Sequence, residues 1–120
     1  KSMLYTKKER EKIEKVREVF ADYIRKSRYV ELLWSEKLGY ILLRIDAERR
    51  DIVMEPVIME DGETLCKELC LEIIQDVLEY TGNDHDRESI DALEKAEIQK
   101  RLRPYEDRLP EYRILIEALI

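Results

Sequence analysis

The sequence predicts an α+β fold. An N-terminal helix leads into a three-stranded antiparallel meander, and three C-terminal helices follow, packed on the sheet in one domain over residues 1–120. Three observations carry this. Apolar residues recur at steps of three and four in residues 7–26 and again, in a broader stripe, in residues 61–82. Between them, residues 29–59 are rich in β-branched and aromatic side chains broken by short polar turns. Apolar residues make up 44% of the 120, enough for a real core despite a charged content of 42%.

The first helix opens at Thr6-Lys7-Lys8-Glu9, the form of a capping box with Thr6 as N-cap. Ile13, Val16, Phe20, Tyr23 and Ile24 give its apolar stripe, and Lys8, Glu11, Lys15, Glu18 and Asp22 the opposite face. It is expected to run from residue 7 to residue 26. Residues 29–34 and 38–45 then read as a hairpin across Ser35-Glu36-Lys37. Gly39 in the second strand marks a bulge or a close approach of another backbone. Residues 51–59 read as a third strand. Pro56 has no N–H to give, so that strand, or its second half, belongs at an edge or a bulge. The leucines of residues 32–43 also tolerate helix, which is the rival reading of this region.

The third element is the longest cleanly bounded apolar face. Leu65, Cys66, Leu69, Cys70, Ile73, Ile74, Val77 and Leu78 share one stripe, Asp61 offers a cap, and Gly82 closes the end. The other elements are expected to pack on it. A polar turn at residues 83–86 follows, with Asp84 or Asp86 capping a helix over residues 87–103 that Pro104 ends. Leu109-Pro110 opens a last helix with proline at its first position. Its apolar residues run to Ile120. That end docks into the core, forms an oligomer contact, or continues into a longer protein.

Composition narrows the function classes. Net charge is −6, which opposes whole-surface binding to nucleic acid or anionic membrane. No apolar run approaches the roughly 20 residues that span a bilayer. No signal-peptide pattern is legible in the first residues, and a cytoplasmic location is expected. The charge is uneven: residues 1–28 hold ten Lys/Arg against five Asp/Glu. Those cations are interleaved with Glu9, Glu11, Glu14 and Glu18, which repel phosphate, so nucleic acid is the lesser reading.

Catalytic and metal signals are thin. Cys66 and Cys70 lie one turn apart, but His85 falls roughly 20 Å further along the axis at 1.5 Å per residue. Two cysteines among leucines read as small buried hydrophobes. Asp84-x-Asp86-x-Glu88 resembles half a calcium loop, but Ser89 stands where the loop needs glycine and Lys95 where it needs an acid. The three glycines are isolated, so no phosphate-cradling loop is legible. No cofactor or metal is expected, and the balance leans against an enzyme.

The sequence therefore favours a small non-enzymatic protein-interaction or regulatory module, acting on a protein partner or on a second copy of itself as a homodimer. A nucleic-acid accessory protein using the basic first helix is the alternative, and a small hydrolase or metal-dependent enzyme a second. Trp34, Tyr40, Tyr112, Leu115, Ile116 and Leu119 are the candidate contact residues. Each also fits an ordinary core position.

Overall fold

The computed structural model describes residues 4–80 and 90–120. Gly82, Asp84, His85, Asp86, Glu88 and Ser89, on which the capping and ligand readings fall, lie outside them. The architecture is α+β: an N-terminal helical segment, antiparallel strands, then C-terminal helices. The chain divides into two compact units, Lys1–Leu65 and Cys66–Ile120.

In the first unit, α1 spans Lys7–Val19 and α2 spans Ala21–Lys26. Thr6 caps α1, its hydroxyl accepting from the Glu9 N–H at 3.1 Å. The single helix expected over residues 7–26 is kinked at Phe20, whose backbone leaves the helical region at φ −93°, ψ 9°. Hydrogen bonds cross the kink, from Phe20 N–H to Val16 and from Ile24 N–H to Phe20. The Phe20 ring is fully buried beside Ile13 and Val16 in the sequence stripe.

The hairpin expected across Ser35-Glu36-Lys37 forms. β1 is Val30–Ser35 and β2 is Gly39–Asp46, antiparallel, with Trp34 opposite Tyr40 and Leu32 opposite Leu42. Ser35 shapes the turn, its hydroxyl accepting from the N–H groups of Lys37 and Leu38. Gly39 closes the three-residue loop at φ +87°, a left-handed backbone that glycine adopts freely.

The third strand is not continuous. β3 is Asp51–Ile52 and β4 is Val57–Ile58, and both pair with β2. Ile45 faces Ile52 while Ile41 faces Ile58, so two extra residues are accommodated between the two pairings. Val53 still donates to Arg44, but Val53 and Met54 are then exposed, and Pro56 carries no N–H for the ladder. This is the edge irregularity that Pro56 requires.

Helix α3 spans Gly62–Tyr80 and contains the boundary between the units. The eight apolar residues of its predicted stripe are all buried. In the second unit, α4 is Ala92–Arg108, a 3-10 turn covers Pro110–Tyr112, and α5 is Arg113–Glu117. Of the helix expected over residues 87–103, residues 87–89 lie outside the described residues, and α4 runs on to Arg108. Asp91, not Asp84 or Asp86, is its N-cap: Asp91 accepts from the Glu94 N–H at 2.8 Å and Glu94 returns the bond to the Asp91 N–H at 3.2 Å. Pro104 does not end it but sits inside its last turns. Proline's fixed φ is compatible with a helix, and continuing past it brings Glu106 within reach of Arg113, at 3.4 Å, and Leu109 into a fully buried position.

Candidate functional site: a groove between the first helix and the edge strand

Side chains 10, 14 and 17 lie at steps of four and three on α1, so they share one flank of the helix. The other flank carries buried Ile13 and Val16. The Arg10–Glu14–Arg17 flank meets β1 and β2. The Arg10 guanidinium lies over the Trp34 ring, 4.3 Å from its centroid. Arg17 grips Glu14 Oε1 through Nε at 3.1 Å and Nη2 at 2.8 Å, while the Tyr40 hydroxyl donates to Glu14 Oε2. Trp34 and Tyr40, opposite each other across the hairpin, stack edge to face at 4.9 Å, and Tyr5 completes the aromatic cluster. Together with Leu32 and Leu33 these α1 and hairpin residues line an open groove of about 220 Å³.

The electrostatics of the groove are ordered. Partial burial opposes ionisation of Glu14, but hydrogen bonds from Arg17 and Tyr40 and the charges of Arg17 and Arg10 outweigh it, holding this carboxyl below the ordinary glutamate range. Burial, and then the bond to Glu14, push the Tyr40 hydroxyl up, so it stays a proton donor. A carboxyl whose pKa is lowered by folding stabilises the fold above its unfolded pKa, and this is lost as pH falls through the folded value. Glu14→Gln should therefore be less stable than the parent at about pH 7, with the gap closing as pH falls to about 3. Thermal melts across that range check it. A gap that does not change with pH would show that the Glu14 charge contributes nothing.

The groove runs beside an open strand edge. Ile45 donates to the Tyr29 carbonyl at 2.9 Å. In the β1–β2 register, residues 29, 31, 33 and 35 therefore turn their backbone groups toward β2, and residues 30, 32 and 34 turn theirs away. Val30 is buried, but Leu32 is half-buried and Trp34 is 38% exposed. Among the described residues, no further strand pairs with β1.

The six candidate contact residues separate by burial. Tyr40, Ile116 and Leu119 are buried, Tyr112 and Leu115 are half-buried, and Trp34 is exposed. Trp34 and Tyr40 come together across the hairpin, while Tyr112, Leu115, Ile116 and Leu119 share the C-terminal turns, where the Leu119 N–H donates to the Ile116 carbonyl. The sequence supplied Arg10 and Arg17 as cations and Glu14 as a repelling acid, without joining them to the aromatic pair. The 10/14/17 spacing was the available signal; the hairpin register that brings it to Trp34 was not.

Other chemistry is less developed. Cys66 and Cys70 are buried free thiols, and the Cys70 thiol is pushed far above its ordinary range by its hydrogen bond with Cys66 and by burial, so it does not supply a thiolate. No cluster of three metal-ligating side chains occurs among the described residues. Glu106 and Glu117 approach each other beside a cleft of about 310 Å³. Burial and Glu117 push the Glu106 carboxyl up, and Arg113 lies 3.4 Å from it. No helix among the described residues is long and apolar enough to cross a membrane. Comparisons with protein-family models, curated proteins and solved structures return no match.

Proposed function

We propose that this chain is a small non-enzymatic protein-interaction module and that it takes its partner along the open edge of β1. The observation that supports the reading is one place: backbone groups of Leu32 and Trp34 turned away from β2, next to a groove walled by α1. An open strand edge is a template for another chain, and a flanking groove supplies selectivity that the backbone alone does not. Trp34 is the aromatic anchor, partly exposed, its ring held by Tyr40 and Arg10 and its indole N–H donating to Glu36 at 3.2 Å.

The test is comparative capture. Tagged parent and Trp34→Ala proteins are incubated with source-cell lysate after nuclease treatment and a high-salt wash, and bound proteins are quantified by mass spectrometry. The expected result is a stoichiometric protein partner on the parent that is depleted on Trp34→Ala, both proteins showing the same circular dichroism. Equal recovery on both proteins would refute the β1 edge as the contact. Recovery of nucleic acid alone in a sample without nuclease would favour the basic first helix acting on phosphates instead.

A further inference from the structure

From the geometry of the groove we infer the chemistry of its occupant: an extended peptide segment of a protein partner that alternates acidic and apolar residues and adds to the edge of β1. The inference rests on the interaction reading above and specifies its ligand.

The backbone sets the conformation. Leu32 and Trp34 each turn an N–H and a C=O away from β2, two residues apart, the spacing at which an added strand pairs. A helical segment satisfies its own backbone groups and has none to offer this edge.

The side chains set the composition. In an added strand, residues opposite Leu32 and Trp34 project to the same face as those two, which is the α1 side. There they meet Arg10. Glu14 does not stand against an incoming acid on equal terms, because Arg17 holds one of its oxygens and Tyr40 the other. Arg10 is spread over Trp34, and a guanidinium keeps in-plane donors for a carboxylate while its face rests on a ring. The segment that supplies Arg10 is itself basic, residues 1–28 carrying ten Lys/Arg against five Asp/Glu. The intervening residues of the added strand project to the opposite face, beside Leu33, which is 41% exposed, and an apolar residue fits there. The pattern is acid, apolar, acid.

The rival occupants fit less well. A second copy pairing β1 with β1 places Leu32 and Trp34 of one protomer beside those of the other and brings two Arg10 guanidinium groups onto one face, where they repel. A nucleic acid offers no row of backbone amides to the edge, and the Trp34 ring already carries a guanidinium where a base would stack.

The probe is a phage-displayed library of random dodecapeptides selected on the folded full chain, followed by fluorescence anisotropy with the selected sequences as synthetic peptides. Acids alternating with apolar residues are expected. Arg10→Met keeps the stem of the side chain over Trp34 and removes the charge. It should weaken an acidic peptide by about tenfold or more, and leave the same peptide with Asp and Glu changed to Asn and Gln nearly unaffected. Circular dichroism confirms that the variant is folded. Peptides that lack acids yet lose binding on Trp34→Ala would overturn the acidic class while leaving the β1 edge as the contact. Selected peptides indifferent to both Trp34→Ala and Arg10→Met, or no selected peptide at all, would overturn the edge reading with it.

Discussion

Gly39→Ala should lower the free energy of unfolding by about 3 kcal/mol, among the largest losses available to a single methyl group in this chain. Two independent penalties meet at this position. The backbone sits at φ +87°, where a Cβ crowds the following carbonyl, at a cost of roughly 1–2 kcal/mol. The added carbon would also lie 2.7 Å from Tyr5 Cε2 and closer still to the Tyr5 hydroxyl oxygen. The ring cannot step aside without loss, because its hydroxyl is engaged twice. Overpacking of this kind costs roughly 1–3 kcal/mol. Urea unfolding measures the outcome as a lower midpoint at unchanged slope. Repeating it in a Tyr5→Ala background separates the two penalties, since only the backbone part survives removal of the ring. A loss under about 1 kcal/mol in the parent would mean that the hairpin end yields easily and that Tyr5 does not pin it.

Tyr5→Phe should cost about as much, roughly 2–4 kcal/mol, without touching any apolar contact. The hydroxyl accepts from the Tyr40 N–H at 3.0 Å and donates to the Met59 carbonyl at 2.6 Å. It therefore bridges the start of β2 to the residue just after β4, from a position 54 residues earlier in the chain than Met59. Tyr40 is 2% exposed and Met59 0%, so water does not readily replace the lost partner. Met59 N–H still donates to the Tyr40 carbonyl at 2.8 Å, which holds the two strands together and should keep the variant folded. Amide hydrogen exchange gives the local reading: protection of the Tyr40 N–H should fall more than that of Leu42, further along the same strand. Equal losses at both would indicate a global effect in place of the bridge.

These two residues also show how far the sequence could be read. The β-branched and aromatic runs either side of Ser35-Glu36-Lys37 were enough for the hairpin. Apolar spacing at steps of three and four was enough for α1 and α3, but not for the break at Phe20 that sets off α2. Gly39 was legible as a bulge or a close approach of another backbone; what meets it is the Tyr5 side chain, and nothing local connects residue 39 to residue 5. Pro56 marked an irregular edge strand without saying that the pairing would break into β3 and β4. Pro104 misled. A proline lacks one N–H wherever it stands, and whether a helix ends there depends on what lies beyond it; here Glu106 and Leu109 are held by tertiary contacts and burial. The groove was half legible. Trp34 and Tyr40 stood out as aromatic residues, while the α1 flank that faces them could be identified only once the hairpin was placed against the helix.

The pairing of β3 and β4 with one strand has a consequence for how this chain tolerates change. The two ladders are offset by two residues, an even number, so Ile52 and Ile58 both project to the same face of the sheet despite the interruption. Side-chain parity thus survives the detour through residues 53–56. The two ladders each hold their own register on β2, so a change of length between them is taken up in the detour while both pairings persist and the faces of Val57 and Ile58 stay as they are. Of the three connections in this sheet, at residues 36–38, 47–50 and 53–56, this is the one that joins two strands lying on the same side of β2.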